Sequence, residues 1–346
     1  MGASDVDYFH PRFAEALNEP GEIEIAGLTW PRHEVLKKMD REGFDEVFRQ
    51  WVDGAKARSR ERAHDFLREY GCLERFETML HRKQNQNVIP FVGAGMSVRS
   101  GYPSWGPFLT SLVRTHPDAH GVVQELLTEA KYEEAAQAVE DALGRVALNE
   151  ELHNRLGSHV RSQEAGPVCL LPDAFNAEVL TTNFDYVLPR IYQRAGNPFL
   201  QSFCGEALST APGRLGNAPH CLLRLHGEAD THDGRVLTLA EYIAAYHDSN
   251  RVSAILNAIT GTRSLLFMGC SLKHDRTMSA LVALRQSAVI EGARHYAFLP
   301  FPGEGEAVTR RGELLAAGIF PIYYPPEDHD QGIEDLLISL IEGGLE

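Results

Sequence analysis

The spacing of apolar positions changes near residue 86. Before it, apolar residues recur every three or four positions. In CLERFETMLHRK (72–83), Leu73, Phe76, Met79 and Leu80 fall on one face at helical spacing. The stretches 31–39 and 44–71 read the same way. Residues 1–85 are therefore expected to form a helical N-terminal region that could serve in assembly. From residue 86 onward, short apolar runs alternate with helical patterns. The runs are 88–92, 178–182, 220–225, 264–269, 295–299 and 318–324. Repeated strand, helix, strand predicts an α/β fold with a doubly wound, Rossmann-like parallel sheet of about six strands, occupying 86–346. A helical insert spans about 107–165, with KYEEAAQAVEDALGRV (131–146) its clearest part. An insert of that length predicts a cap or small subdomain rather than a loop. In the last helical pattern, Leu336, Leu337, Leu340 and Ile341 are placed to pack back on the sheet.

Composition narrows the function classes. The chain has 346 residues, 43% apolar and 23% charged, enough for a core without disulfide or metal staples. A net charge of −15 opposes direct nucleic-acid binding. No apolar run approaches the ~20 residues that span a bilayer. The start, MGASDVDYFHPRF, lacks the basic and apolar blocks of a secretory signal. The five cysteines, Cys72, Cys169, Cys204, Cys221 and Cys270, include no C-x-x-C pair. That pattern suits a cytoplasmic protein and argues against a four-cysteine zinc site.

The candidate chemistry lies where the apolar runs end. NVIPFVGAGMSVRSGYPSW (87–105) leaves a buried run through Gly93 and Gly95. A glycine pair that leaves a strand and opens a helix can bring backbone N–H groups against a phosphate. Tight β–α turns favour glycine anyway, so the pair alone says little. No acid occurs between Phe91 and Asp118, which disfavours an ordinary nicotinamide dehydrogenase. Next, LTTNFDYVL (180–188) delivers Thr181, Thr182, Asn183 and Asp185. CLLRLHGEAD follows with His226 and Gly227, and GCSLKHD with Gly269, Ser271 and Asp275. Four successive strands thus end in polar or glycine residues at the carboxyl edge, where open α/β sheets bind ligands. Cys270 reads as a small packed residue. Tyr323 and Tyr324 read equally well as core edge or as neighbours of a base.

In this order, GAGMSVRSGYPSW, TTNFD, LHG and FMGCSLKHD resemble the nucleotide-binding core of the sirtuin-like (silent information regulator) superfamily, over about 86–325. The resemblance implies NAD as ligand. By position, Gly93, Ala94, Gly95 and Ser97 would hold the phosphates and the nicotinamide end. Thr182, Asn183 and Asp185 would line the nicotinamide-ribose pocket, and Gly269, Ser271 and Asp275 would meet the adenosine ribose. His226 would be the catalytic base, and Asn183 would orient water or a ribose hydroxyl. Protein-deacylating sirtuins carry a zinc module with two cysteine pairs and a G-I-P-D-F-R stretch. This chain has neither: Ser104 and Gly106 stand where the aspartate and arginine would be. No zinc is therefore expected. The sequence looks more like the bacterial branch that hydrolyses NAD to ADP-ribose and nicotinamide as an anti-phage effector. That likeness implies a homo-oligomer restrained until a trigger acts, with a companion of ATPase or Argonaute type by analogy. The alternatives are an NAD-dependent deacylase and a non-catalytic subunit that binds NAD or ADP-ribose.

Overall fold

The computed structural model describes residues 3–211, 220–232, 234–246, 251–273, 276–287 and 293–345. Helix α1 (Ala3–Asn18) is followed by a hairpin of β1 (Ile23–Ile25) and β2 (Leu28–Trp30). Ala26 and Gly27, both at positive φ, make its two-residue turn. Helices α2 (Arg32–Met39), α3 (Arg41–Glu69) and α4 (Leu73–Gln84) complete the N-terminal region. Phe9 and Phe13 of α1 pack on Phe44, Phe48 and Trp51 of α3.

The chain then enters the sheet with β3 (Val88–Val92), all five residues buried. The insert follows: α5 (Trp105–Leu112), α6 (Pro117–Thr128), α7 (Tyr132–Leu143) and α8 (Arg145–Leu156). The chain continues with α9 (Leu171–Ala174), β4 (Glu178–Thr181), α10 (Val187–Arg194), β5 (Gln201–Phe203) and β6 (Cys221–Arg224). After these come α11 (Leu239–Tyr246), α12 (Arg251–Thr260), β7 (Ser264–Met268) and α13 (Arg276–Ser287). The chain ends through β8 (His295–Pro300), α14 (Glu304–Ala316), β9 (Ile319–Tyr324) and α15 (His329–Ile341).

The sheet is parallel, in the order β5-β6-β4-β3-β7-β8-β9. It has seven strands rather than about six. The extra one, β5, is a three-residue edge strand with only Phe203 buried, too short to leave an apolar run. The chain moves outward from β3 to β4 and on to the edge strand β5, steps back to β6, and then crosses to β7 on the other side of β3. That reversal is the topological switch of a doubly wound sheet, and it puts a crevice over the carboxyl ends of β3 and β7. Pairing of β3 with β4 begins at Phe91, past Pro90, whose ring removes a donor.

The N-terminal helices join the same core. Helix α3 lies along α15, where Leu336, Leu337 and Leu340 are buried and Ile341 partly so. The Arg62 guanidinium meets the buried Asp335 carboxylate at 2.7 Å, and Tyr8 and Arg12 of α1 both reach Glu334. On the other side of the molecule, the insert is tied down by Arg235. Its buried guanidinium bridges Glu140 of α7 and Glu241 of α11, each at 2.8 Å. Among the described residues, no helix is long and apolar enough to cross a membrane.

Candidate functional site

The two glycine turns at the switch point meet each other. Gly93 N–H donates to Met268 O and Gly95 N–H to Gly269 O, each at 2.9 Å. A Cβ on Gly93 would sit 2.6 Å from both Gly269 O and the Cys270 sulfur. Gly269 has φ +67°, and a Cβ there would lie 2.5 Å from Met96 N. These glycines are thus required by one turn pressing on the other. The turn after β3 does not open an α-helix, as the glycine pattern suggests. Residues Ala94–Ser100 form a 3-10 helix, stopped by Gly101 at φ +88°. Pro103 then keeps Tyr102 out of helical backbone, so the helix does not resume before α5. The first α-helix after this turn is α5.

On this floor sits a buried polar network. Asn183 is 3% exposed. Its Nδ2 donates to Gly93 O at 3.1 Å and to Ser97 Oγ at 3.2 Å. The acceptor Gly93 O fixes the orientation of the amide. Asn183 Oδ1 then has no partner among the described residues. Ser97 passes the chain on to Asp185, whose carboxylate also accepts from Val187 N–H at 3.0 Å. Burial raises the Asp185 pKa, against the pull of Val187, Ser97 and the Arg224 guanidinium. Arg224 was missed by the sequence reading, although it is the one cation in the apolar run CLLRL. It is 1% exposed and lies 4.7 Å from the Tyr186 ring centre. It donates to Asn183 O at 3.2 Å and Asp185 O at 3.0 Å, and so holds the N-x-D loop in shape. Thr181 Oγ1 adds a bond to Val92 O and accepts from Asn183 N–H. Thr182 is half-buried beside it.

His226 lies in a second cluster. It is 5% exposed, and burial pushes its pKa down to about 3, so the ring is neutral near pH 7. Both ring nitrogens face phenols of α11. Nε2 is 2.7 Å from Tyr246 OH and Nδ1 is 3.4 Å from Tyr242 OH. Tyr246 OH continues to Thr277 Oγ1 at 3.1 Å. The tyrosines escaped the sequence reading, although their i, i+4 spacing in AEYIAAYH places them on one helix face.

The cavity beside Ala94 and the N-x-D loop is small. It measures about 20 Å³ and is walled by Ala94, Ser97, Tyr102, Trp105, Asn183 and Asp185, among others, but not by His226. Trp105 stands edge-on to Phe184 and Phe108, with ring centres 5.4 and 5.6 Å away. The structure therefore brings Gly93, Ala94, Gly95, Ser97, Asn183, Asp185 and Gly269 together, while His226 faces its own tyrosine cage. Ser271 is exposed beside a cavity of about 580 Å³ lined by Leu272, Met278, Glu306 and Arg310. The Arg310 guanidinium donates to Ser271 O and Leu272 O, at 2.8 and 2.9 Å. Asp275 lies outside the described residues. Cys270 is half-buried, and Tyr323 and Tyr324 are both buried in the core. A cavity of about 620 Å³ between α1, α10 and α15 lies apart from this floor. Its arginines pair with its acids: Arg12 with Glu334, Arg99 with Asp330 and Arg194 with Glu164.

Two glycine turns packed at a strand switch, an asparagine amide with a spare acceptor and a buried carboxylate can hold a polar, hydroxyl-bearing ligand at the sheet's carboxyl edge. Residues 177–322, which contain Asn183, Asp185, His226, Gly269 and Ser271, match the family model of the SIR2-like domain, and this match supports a sirtuin-like superfamily assignment.

Proposed function

We propose that this chain hydrolyses NAD to ADP-ribose and nicotinamide at the switch-point site. The observation that carries the reading is Asn183 Oδ1, a buried acceptor without a partner among the described residues, set in the cavity wall beside Ala94 and Ser97. Leaving such an atom unmatched costs about 1–3 kcal/mol unless a ligand or water supplies a donor. A ribose hydroxyl or the attacking water is such a donor. The glycine turns, with Ala94 and Ser97, would face the phosphates and the nicotinamide end. Asp185 and Thr182 would border the ribose, and Ser271 the adenosine side.

In the reaction, the bond from ribose C1′ to the nicotinamide nitrogen breaks. Its electron pair stays on that nitrogen and cancels the ring's positive charge, so no acid is needed. The sugar passes through an oxocarbenium-like state. Water oxygen bonds to C1′ and gives up a proton. His226 is the residue we assign to accept it; a ring held at a pKa of about 3 by burial is too weak a base at pH 7, so this requires it to leave Tyr246 for a wetter setting that restores its basicity.

We further propose that the activity is gated, by assembly of several copies or by a partner, and that the protein serves bacterial anti-phage defence in the cytoplasm. The small cavity and the capped imidazole support the gating. The same capping favours one competitor, a non-catalytic subunit that binds NAD or ADP-ribose. Incubation with NAD, with and without an acetylated peptide, separates the readings when nicotinamide, ADP-ribose and O-acetyl-ADP-ribose are quantified. Peptide-independent release of nicotinamide and ADP-ribose, lost in Asn183→Ala and His226→Ala, is the expected result. Release only with peptide would mean a deacylase. NAD binding without release, in cells under phage challenge as well as in the purified protein, would mean the non-catalytic subunit.

A further inference from the structure

Three metal-ligand side chains meet at the seam between the insert and the loop that follows His226. His153 lies in the last turn of α8, His159 three residues beyond its end, and Asp230 four residues after His226. His153 Nδ1 is 2.9 Å from Asp230 Oδ1. The two imidazole rings are 4.4 Å apart and tilted by 31°. One ligand atom from each of the three residues lies within 4.8 Å of the other two.

The local backbone is shaped for this meeting. A Cβ at Gly157 would fall 2.5 Å from Asp230 Oδ1 and 3.0 Å from His159 Nδ1, so a larger residue would push the ligands apart. Ser158 N–H donates to both Asp230 oxygens, at 3.3 and 3.1 Å. Tyr186 also hydrogen-bonds this carboxylate. The carboxylate is thus fixed in place and turned toward two imidazoles.

We infer that His153, His159 and Asp230 bind one divalent transition-metal ion, and that the ion staples the insert to the loop carrying His226. Two imidazoles and one carboxylate form the donor set of zinc(II), cobalt(II) or nickel(II); magnesium and calcium prefer oxygen alone. Bonds of about 2.0–2.2 Å place tetrahedral ligands roughly 3.3 Å apart. The present separations, up to 4.8 Å, exceed this by as much as about 1.5 Å, which reorientation of the exposed imidazoles has to supply. The ion takes the place of the contact between His153 and Asp230, any proton on the ligating imidazole nitrogen leaves to the other ring nitrogen or to solvent, and water completes the coordination. The absence of cysteine pairs does not bear on this site, which uses no sulfur. Nor does the site rest on NAD chemistry.

The test uses the full chain stripped with a chelator. Cobalt(II) is titrated in and followed by visible d–d absorption, and zinc(II) by calorimetry. One ion per chain is expected, with the absorption of a low-coordinate site. His159→Asn and Asp230→Asn should weaken binding by about 100-fold or more, since even supporting groups of a metal site are worth 10–100-fold. His116→Asn, an exposed histidine elsewhere on the insert, should not change it. His159 is itself exposed, so its variant should keep the far-ultraviolet dichroism of the parent. Hydrogen exchange over 153–160 and 227–231 should slow with zinc in the parent and not in His159→Asn. Equal affinity in His159→Asn and His116→Asn, or cobalt(II) that shows only its aqueous spectrum, would overturn the inference.

Discussion

Trp105→Ala tests whether the glycine-turn cavity is held shut. The cavity of about 20 Å³ has room for a single water, whereas small-molecule sites run from about 300 to 1,000 Å³. A ligand the size of the proposed NAD would therefore need part of the wall to move. Trp105 is the natural part to move: it is half-buried, opens α5 and is edge-on to both Phe184 and Phe108. Removing a fully buried tryptophan costs about 3–5 kcal/mol, so a half-buried one should cost about 2. Against an ordinary stability of about 5–15 kcal/mol the variant stays folded. If the closed form outweighs the open one by about 100 to 1, apparent NAD affinity is lowered about 100-fold, and an open-biased variant recovers much of that. Urea unfolding gives the stability cost, and calorimetry with nicotinamide release gives the function. Trp105→Ala should lose about 2 kcal/mol and bind or consume NAD at least about tenfold better, with Trp105→Phe in between. A variant that loses the stability but gains no affinity or turnover would make Trp105 a packing residue and refute the gate.

The remaining predictions concern the floor of the site and its protonation. Arg224→Met should destabilise by about 2–6 kcal/mol, measured by urea unfolding, because Asn183 O and Asp185 O both lose their donor at about 1–3 kcal/mol each. Gly269→Ala should cost more than about 1 kcal/mol, since its φ of +67° is strained for alanine and the new Cβ would lie 2.5 Å from Met96 N. A stability near that of the parent would mean that the two turns do not pack as described. His226 and His295 have pKa values depressed by burial to about 3 and about 4. The unfolded chain takes up their protons near pH 6.5, the folded one only below about 4. Their contribution is thus complete above about pH 6.5 and is lost as pH falls toward 4 and 3. The raised carboxyls of Asp185 and Asp335 act with the opposite sign, so the informative comparison is between the parent and His295→Phe. The urea midpoint of the variant should fall less steeply between pH 6.5 and 4.5, and parallel curves would refute the assignment.

The fold was legible because β3, β4, β6, β7, β8 and β9 are buried on both faces and so appear as unbroken apolar runs. Strand β5 was not, because a three-residue edge strand needs no such run. The glycine turns and the N-x-D loop were legible as motifs, and Gly93, Ser97, Asn183 and Asp185 do converge. The reason for the glycines was not legible. Their small size is required by the opposite turn as much as by any ligand, and that contact joins residues more than 170 positions apart in sequence, 93–95 with 269–270. The surroundings of His226 were hidden for the same reason. Tyr242 and Tyr246 come from α11, and only the folded chain sets that helix against the end of β6.

The insert is the element through which these observations bear on one another. Its first helix brings Trp105 and Phe108 to the wall over the glycine turns, and Leu156 at the end of α8 lines the same cavity. Glu140 on α7 and Asn149 on α8 hold Arg235, which also holds α11, the helix whose tyrosines cap His226. His153 and His159, at the end of α8, meet Asp230 on the loop that His226 begins. A shift of the insert would therefore act on the cavity and the imidazole together, because the same helices close the first and brace the cap on the second. Loosening the Arg235 clamp provides a local test of that coupling. Arg235→Gln should raise hydrogen exchange in α7, α11 and the loop 227–231 in concert. If exchange rises in α7 while α11 and that loop stay protected, the insert is an independent lid and His226 must be released by some other movement.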